Sequence, residues 1–333
     1  MTKKIFISGG AGYCGSRLVP QLISKGYIVT VYDLLIFGKD FFPFHENLKI
    51  IKGDIRDIKH LEKSCKDHDI FINLSCISND ASFILDEKLS TSINLDAFEP
   101  MVIVAKNNGI KRFIYASSSS VYGLSDQKDV KEDHPLVPLT LYNKYKGMCE
   151  PILLKHTDNN FEGVIFRPAT VCGYAPRLRL DLSVNILSNH AINKNKITVF
   201  GGEQLRPNLH IQDYCNLVEL LINTESEKIK NEIFNVGYQN LSINQIAQIV
   251  KNVVQEEFPE KGNIEIIKTA SDDNRSYHIN SDKIKEKLSF KPKYSIEDAV
   301  RELCFNFKKN KILNSFEDDF YFNVKRLKRL KIS

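Results

Sequence analysis

The 333-residue chain contains 42% hydrophobic and 26% charged residues and carries a net charge of +5 at pH 7. This balance is typical of a globular protein that buries a sizeable core, and so small a charge does not predict nucleic-acid binding. The seven cysteines lack the spacing of a zinc site or a disulfide framework. No run approaches the roughly 18 apolar residues of a membrane span, and strand-like sequence begins where a leader would stand. We therefore expect a cytoplasmic protein without membrane, nucleic-acid or metal partners.

Up to about residue 167, short apolar runs alternate with longer segments of helical periodicity. The runs are rich in Val, Ile, Phe and Tyr, as the strands of a parallel sheet covered on both faces are. This alternation predicts an α/β protein with a doubly wound parallel sheet of the Rossmann type. The predicted strands are KKIFIS, YIVTVYD, LKIIKGD, DIFINLS, KRFIYAS and GVIFR.

After residue 167 the pattern changes to a stretch rich in Asn, Arg and Pro, followed by one more strand, EIFNVG, and two helices. We predict residues 1–167 and about 211–237 as the Rossmann domain, and 168–210 with 238–310 as a smaller C-terminal α/β cap. Residues 311–333 form a basic tail, which we interpret as a solvated terminal segment.

Three glycines, Gly9, Gly12 and Gly15, separate the first strand from the first helix. Glycine permits a tight turn and lets backbone N–H groups approach a pyrophosphate at the positive end of a helix. Asp33 follows about 20 residues later, at the end of the second strand, where a carboxylate binds the ribose hydroxyls of NAD and repels the 2′-phosphate of NADP. Together these features predict NAD binding; a purely structural turn is the alternative.

Tyr142 and Lys146 lie four residues apart and therefore share one face of a predicted helix. A free tyrosine has a pKa near 10, and a lysine ammonium beside an oxidised nicotinamide favours the phenolate. Lowering that pKa by about three units corresponds to about 4 kcal/mol. The serines from Ser117 to Ser120 follow the fifth strand, at the edge where open α/β sheets bind ligands, and offer a hydroxyl partner. On spacing alone, a surface helix is the alternative.

With these motifs the chain resembles the extended short-chain dehydrogenase/reductases, specifically the NAD-dependent sugar-nucleotide epimerase/dehydratase group. The resemblance implies that Tyr142 is the catalytic base and acid, and that Lys146 orients the nicotinamide ribose. It implies Ser118 as the hydroxyl partner, with Ser117 and Ser119 as alternatives. The matching segments are GGAGYCG, Asp33, GDIRD, the serines before VYG, Tyr142 with Lys146, RPATVCG and RPNLHIQD.

The resemblance also implies a cofactor site and a substrate site. The cofactor residues are Gly9, Gly12, Tyr13, Cys14, Gly15, Asp33, Asp54, Ile55, Leu74, Ser75, Cys76, Asn94, Ser117, Tyr142, Lys146 and Pro168. The nucleotide-sugar residues are Ser119, Arg177, Arg179, Asn185, Val199, Phe200, Arg206 and Arg275. Arg206 and Arg275 are expected at the diphosphate, because guanidinium groups bind it bidentately; surface ion pairs are the alternative. Val199 and Phe200 fit a buried strand equally well.

The resemblance implies a first step in which the tyrosine removes a hydroxyl proton while a sugar carbon, usually C4, passes hydride to NAD. Dehydratases of the group place Asp-Glu after the hydroxyl residue, where this chain has Ser119 and Ser120, and serine lacks a useful pKa. We therefore predict an NAD-dependent sugar-nucleotide epimerase that acts through a transient 4-keto sugar, and we disfavour a 4,6-dehydratase.

The stretch APRLRLDLSVN departs from the hexose 4-epimerases and resembles a branch that includes nucleotide-sugar 4-dehydrogenases. Its Arg177, Arg179 and Asp181 either bind the sugar or phosphate or hold the cap together. A 4-dehydrogenase or 4-keto-reductase is therefore the alternative function, and a non-catalytic NAD-binding sensor is a further one. The resemblance also implies a homodimer, with a four-helix bundle formed by the helix after Asn94 and the Tyr142 helix.

Overall fold

The computed structural model describes residues 2–78, 80–125, 127, 129–270, 276 and 278–331. Its strands are β1 (Lys4–Ser8), β2 (Ile28–Asp33), β3 (Leu48–Lys52), β4 (Ile70–Asn73), β5 (Arg112–Ala116), β6 (Glu162–Pro168), β7 (Thr170–Cys172), β8 (Lys196–Phe200), β9 (Leu205–His210), β10 (Glu232–Val236), β11 (Gln239–Ser242) and β12 (Glu265–Thr269). Its α-helices are α1 (Tyr13–Ser24), α2 (Ile58–Cys65), α3 (Asp80–Phe83), α4 (Glu87–Thr91), α5 (Phe98–Asn107), α6 (Leu141–His156), α7 (Ser183–Lys194), α8 (Ile211–Asn223), α9 (Ser226–Ile229), α10 (Ile243–Glu257), α11 (Asp282–Leu288), α12 (Ile296–Lys308) and α13 (Asn323–Leu330).

The central sheet has seven parallel strands in the order β3-β2-β1-β4-β5-β6-β10. Strands β4 and β5 are buried along their whole length, which explains why they are continuous apolar runs. The strand order reverses between β1 and β4, so the crevice that binds ligands in doubly wound sheets lies outside the carboxyl ends of these two strands. The prediction of a doubly wound Rossmann-type sheet is confirmed.

Helices cover both faces of this sheet and form two hydrophobic cores. On one face, α1 and α8 bury Leu18 and Leu221 against the strands. On the other face, α2, α5 and α6 surround Phe71 and Phe113, whose rings stack with their centroids 4.8 Å apart. Burial of a side chain of this size contributes about 1.5–3 kcal/mol. Both cores together hold the carboxyl edge of the sheet rigidly.

A smaller unit follows β6 and consists of the sheet β11-β9-β7, the parallel pair β8–β12, and helices α7, α10 and α12. Helices α10 and α12 begin at capping boxes that start at Ser242 and Ser295, respectively. The segment around α11, which we assigned to the cap, instead buries Ile284 and Phe290 in a core of the large sheet. The two units are therefore interleaved along the chain.

The C-terminal segment packs against the rest of the chain, so the interpretation of residues 311–333 as a solvated tail is wrong for the residues that the structure describes. Ile312 and Tyr321 are buried in a small core beneath the loop that follows β7. The Leu180 N–H donates to the Tyr321 carbonyl at 3.0 Å, and the Arg326 Nε donates to the Ile36 carbonyl at 2.8 Å. The segment thus connects both units. Among the described residues, no helix is long and apolar enough to cross a membrane.

Candidate active site

A cavity of about 470 Å³ opens outside the carboxyl ends of β1, β4, β5 and β6. It brings together residues that are far apart in sequence but were predicted to share one site. Those that line it are Gly9, Gly12, Tyr13, Cys14, Gly15, Asp33, Asp54, Ile55, Leu74, Ser75, Cys76, Ser117, Ser118, Ser119, Tyr142, Lys146, Pro168, Arg177, Arg179 and Arg206.

The glycine turn between β1 and α1 has no room for side chains at two of its three glycines. A Cβ at Gly9, where φ is +73°, would lie 2.5 Å from the Ser75 nitrogen, and a Cβ at Gly15 would collide with the Gly10 carbonyl. Gly12 differs, because among the described residues a Cβ there would meet only the Gly9 carbonyl oxygen, 3.3 Å away, and Gly12 lines the cavity. Within the part of the chain that the structure describes, no side-chain hydrogen bond caps the N-terminus of α1, and its first turn has no acidic residue, so its first N–H groups can bind an anion.

Asp33 is fixed against this turn at the end of β2. Its Oδ2 accepts from the Ala11 N–H at 3.0 Å and its Oδ1 accepts from the Leu35 N–H at 2.8 Å. Burial raises the pKa of Asp33, and these two hydrogen bonds oppose the increase. The carboxylate is thus held in one orientation at the cavity wall, as a ribose-binding group must be.

Helix α6 positions Tyr142 and Lys146. Thr140 is the N-cap of this helix and its side chain accepts a hydrogen bond from the first turn; the helix begins at Leu141, so Tyr142 is its second residue. One turn later, the Lys146 Nζ donates to the carbonyl of Ala116 at 2.8 Å and lies 5.1 Å from the Tyr115 ring centroid. Lys146 is only 4% exposed, so its ammonium is fixed between the end of β5 and the cavity.

The Ser117 hydroxyl is engaged by a buried carboxylate. Its Oγ donates to the Glu150 Oε1 at 2.6 Å, and Glu150 forms a buried ion pair with Arg167, whose Nη2 lies 2.6 Å from Oε2. The Ser117 hydroxyl therefore completes a buried structural network. This geometry argues against Ser117 as the catalytic serine.

Ser118 and Ser120 form the hydroxyl pair on the cavity side. The Ser118 Oγ lies 2.7 Å from the Ser120 Oγ, and the Ser120 Oγ donates to the Asn143 Oδ1 at 2.5 Å. Ser119 is 1% exposed in the short 3₁₀ helix that follows Ser118. The geometry favours Ser118 among the three serines that the sequence left open.

The family model described as "NAD dependent epimerase/dehydratase family" matches residues 5–237. The chain belongs to this family. It is 27% identical over 323 residues to UDP-glucuronic acid decarboxylase 1 of Xenopus tropicalis, covering 92% of this chain and 72% of that protein. It is 23% identical to the dTDP-glucose 4,6-dehydratase of an Actinoplanes species, and the match covers 92% of this chain and 98% of that protein. Among solved structures, the chain is similar to the UDP-N-acetylglucosamine 4-epimerase of Methanobrevibacter ruminantium in complex with UDP-N-acetylmuramic acid. The two superpose with a TM-score of 0.82 at 27% identity, and the match covers 93% of this chain and 99% of that one.

Membership in the epimerase/dehydratase family establishes NAD as the cofactor. The site fits it, because the uncapped helix and the open space above Gly12 suit a pyrophosphate, and Asp33 suits the adenosine ribose. Asp54, predicted near the adenine, is held by Arg56, whose Nη2 donates to its Oδ2 at 2.6 Å. Burial raises the pKa of Asp54, but the bonds from Arg56 outweigh this effect and lower it overall.

Two predicted asparagines do not line the cavity; they support its walls. The Asn94 Oδ1 accepts from the Ile77 N–H at 2.8 Å, which holds the segment after β4 in place. Asn185 is fully buried, and its Nδ2 donates to the Arg179 carbonyl at 2.8 Å while its Oδ1 accepts from the Gly173 N–H at 3.0 Å. The prediction that Asn185 contacts the substrate is therefore corrected: its polar atoms are occupied by the chain, and it positions the loop that follows β7.

The nucleobase prediction at β8 also fails for Val199, which is fully buried in the core of the smaller unit. Phe200 is 57% exposed and does not line the cavity. Arg206 does line it, and its Nη1 donates to the Leu205 carbonyl at 2.9 Å. Arg275 lies outside the described residues.

The loop after β7 is held together by its own side chains and also lines the cavity. The Arg179 Nε donates to the Asp181 Oδ1 at 2.8 Å and its Nη1 donates to the Ser78 Oγ at 3.1 Å. Arg177 donates through Nη2 to the Asn323 Oδ1. These bonds hold the loop together, yet all five residues line the cavity. Ser78 and Asn323 were not predicted, because neither belongs to a motif and Asn323 comes from the C-terminal segment.

Proposed function

We propose that the protein is a sugar-nucleotide epimerase that works through a transient 4-keto sugar. The observation that carries this proposal is that Tyr142, Lys146 and Ser118 line the same cavity as the glycine turn. This arrangement suits proton removal from a sugar hydroxyl while hydride leaves the same carbon.

In the proposed mechanism, Tyr142 accepts the proton of the sugar hydroxyl and later returns it. The Lys146 ammonium, held by the Ala116 carbonyl, stabilises the phenolate form of Tyr142 by its charge. Ser118, held by Ser120, hydrogen-bonds to the same sugar oxygen and orients it. NAD supplies a reversible hydride acceptor when bound.

The residues after Ser118 favour epimerisation over dehydration. Ser119 and Ser120 stand where dehydratases carry an acid pair, and the Ser120 hydroxyl is engaged by Asn143. Without an acid and a base there, expulsion of the C6 hydroxyl has no assistance from these positions. A 4-dehydrogenase or 4-keto-reductase remains the second candidate, because the loop of Arg177 and Arg179 departs from that of the hexose 4-epimerases.

The substrate we propose is a nucleoside-diphosphate sugar. Arg206 lines the cavity and provides a guanidinium group suited to a diphosphate. The relatives act on nucleotide-linked sugars according to their names, which supports this substrate class. The nucleobase and the sugar are left to experiment.

We also propose a homodimer, formed in the cytoplasm through α5 and α6. These helices pack on each other, and the apolar side chains of Ile103 and Met148 on them are 40% and 41% exposed. A second copy would cover them by two-fold symmetry. Size-exclusion chromatography with light scattering should return twice the monomer mass; a monomer would refute this proposal.

The deciding experiment incubates the protein with NAD and a panel of UDP-, GDP-, CDP- and dTDP-sugars, followed by chromatography and mass spectrometry. A new peak of unchanged mass would establish epimerisation and identify the sugar. A product lighter by two hydrogens would establish a dehydrogenase instead. Loss of water would overturn the interpretation of Ser119 and Ser120.

A further inference from the structure

Two arginine side chains in the cavity wall each retain an unsatisfied nitrogen. Among the described residues, neither the Nε of Arg177 nor the Nη2 of Arg179 has a hydrogen-bond partner, although both atoms are buried. Arg177 is 1% exposed and Arg179 is 7% exposed, and both line the cavity. Buried guanidinium N–H groups require acceptors, so the protein alone leaves this pair incomplete.

The two arginines differ in their carboxylate partners. Arg179 is paired with Asp181, whereas Arg177 forms no ion pair with any described carboxylate. Both Asp181 oxygens are engaged, Oδ1 by Arg179 and Oδ2 by the Asn323 N–H. Burial, followed by the neighbouring Arg179, lowers the pKa of Arg177 to about 9. Asp181 and Asp33 both oppose this decrease, so the unsatisfied N–H groups, and not an excess of positive charge, are what calls for a further acceptor.

The loop that carries the pair is bonded directly to the first turn of α1. The Arg177 N–H donates to the Ser16 Oγ at 3.1 Å, and the Tyr13 hydroxyl donates to the Gly173 carbonyl at 2.6 Å. In doubly wound sheets the pyrophosphate of a dinucleotide lies at this helix N-terminus. The loop is therefore fixed next to the position that the pyrophosphate takes.

The two arginines contact segments that follow different strands of the sheet. The Arg177 guanidinium lies 3.5 Å from the centroid of Phe37, which follows β2 and the ribose-binding Asp33. Arg179 bonds instead to Ser78, which follows β4. A group bound between them would lie between the adenosine ribose and the nicotinamide half of the cofactor.

Asn323 of the C-terminal segment fixes both arginines. Its Oδ1 accepts from the Arg177 Nη2, and its Nδ2 donates at 2.8 Å to the Ser78 Oγ that also accepts from Arg179. The two guanidinium groups are consequently pre-oriented, which lowers the entropic cost of binding an anion.

We propose that Arg177 and Arg179 clamp the pyrophosphate of NAD against the glycine turn, with Asn323 as their positioning residue. The unsatisfied nitrogens of the two guanidinium groups can each donate to a phosphate oxygen, and a pyrophosphate supplies the acceptors that this pair lacks. The clamp retains the cofactor through the turnover cycle. The inference rests on NAD as the cofactor and does not depend on the net reaction.

The test measures binding of three probes to the NAD-free enzyme by calorimetry: ADP-ribose, adenosine and UDP. In Arg179→Gln and Arg177→Gln the dissociation constant of ADP-ribose should rise about 10- to 100-fold, because each loses a charge-assisted hydrogen-bond donor. Adenosine, which lacks the pyrophosphate, should bind as to the wild type. Arg17→Gln is the matched control, since Arg17 follows Ser16 but pairs with Glu302 at 3.1 Å outside this cavity.

Unchanged ADP-ribose binding in Arg179→Gln would overturn the proposal. A loss confined to UDP would also overturn it and assign the pair to the substrate diphosphate. Because Arg177 is buried, thermal unfolding must show that each variant folds. If Arg177→Gln does not fold, Arg177→Lys replaces it; lysine keeps the charge but lacks the forked guanidinium, so the dissociation constant of ADP-ribose should rise about threefold or more.

A second variant tests the positioning role of Asn323. Asn323→Ala keeps both arginines but removes the side chain that bonds to Arg177 and to Ser78, so the guanidinium groups are less well oriented. The release rate of bound NAD during dialysis should therefore rise severalfold. Release at the wild-type rate would remove Asn323 from the proposal. These measurements use no sugar substrate, so a failed epimerase assay would leave their outcome intact.

Discussion

The two sides of the cavity are built in different ways. The sheet side consists of the glycine turn, the serines and the first turns of α6, and each of these is a short contiguous segment at the end of a strand or the start of a helix. The other side is formed by Arg179 and Asn323, and both bond across to Ser78, which lies 101 residues from Arg179 and 245 residues from Asn323 in the sequence. Short sequence motifs therefore form the first side of the cavity, whereas contacts between residues distant in sequence form the other side.

The sharpest test of the sheet side is Tyr142→Phe. Loss of the phenolic oxygen should lower turnover about 10³-fold, within the range of general acid–base catalysis, while bound NAD is retained. Tyr145→Phe is the matched control on the same helix, since the Tyr145 hydroxyl accepts from Thr91 at 3.4 Å. Turnover and NAD content should be measured together; equal losses in both variants would contradict the assignment of Tyr142.

Ser118→Ala should lower turnover about 10²-fold, because a hydrogen bond to the reacting oxygen is lost. Ser117→Ala should have a smaller effect on turnover and a larger one on stability, since its hydroxyl serves the buried Glu150–Arg167 pair. Steady-state kinetics and thermal unfolding of both variants separate the roles. The reverse order of activity loss would make Ser117 the catalytic serine.

On the other side of the cavity, Ile312→Ala tests whether the C-terminal segment is part of the folded structure. Ile312 is 5% exposed in the small core beneath the loop after β7. Its truncation should lower the free energy of unfolding by about 2–3 kcal/mol. Denaturant unfolding checks this, and Leu313→Ala, at a 59% exposed neighbour, should change it little. If both substitutions change the free energy of unfolding equally little, the C-terminal segment is solvated and not packed.

The contrast between the two sides explains what the sequence could predict. Gly12, Asp33, Tyr142 and Lys146, which the sequence predicts to share one site, line one cavity, because turn chemistry, strand ends and helical spacing are properties of a few consecutive residues. The central sheet was found for the same reason, since its strands are continuous apolar runs.

The errors all concern residues whose position depends on distant partners. Asn185 was predicted to bind substrate, but its side chain is used by Gly173 and the Arg179 carbonyl. The sequence predicts a strand at Val199 but does not show whether its side chain faces a ligand or a core; the packing of the smaller unit buries it. The C-terminal segment looked solvated because its last ten residues are basic, whereas its anchors, Ile312 and Tyr321, lie further upstream.

The smallest expected effect concerns Asp181, which connects the two sides through Arg179. Burial raises the pKa of Asp181, but the charge and hydrogen bond of Arg179 outweigh it, so the pKa lies below the usual 3.8. A carboxyl with a lowered folded-state pKa stabilises the fold above its unfolded pKa, and this contribution is lost as pH falls through the folded value. Asp181→Asn should therefore cost about 1–2 kcal/mol at pH 7, and the difference from wild type should shrink below about pH 4. Denaturant unfolding at pH 7 and pH 3.5 measures this difference in the free energy of unfolding. If it is the same at both pH values, Asp181 stabilises the loop through the geometry of its hydrogen bonds and not through its charge.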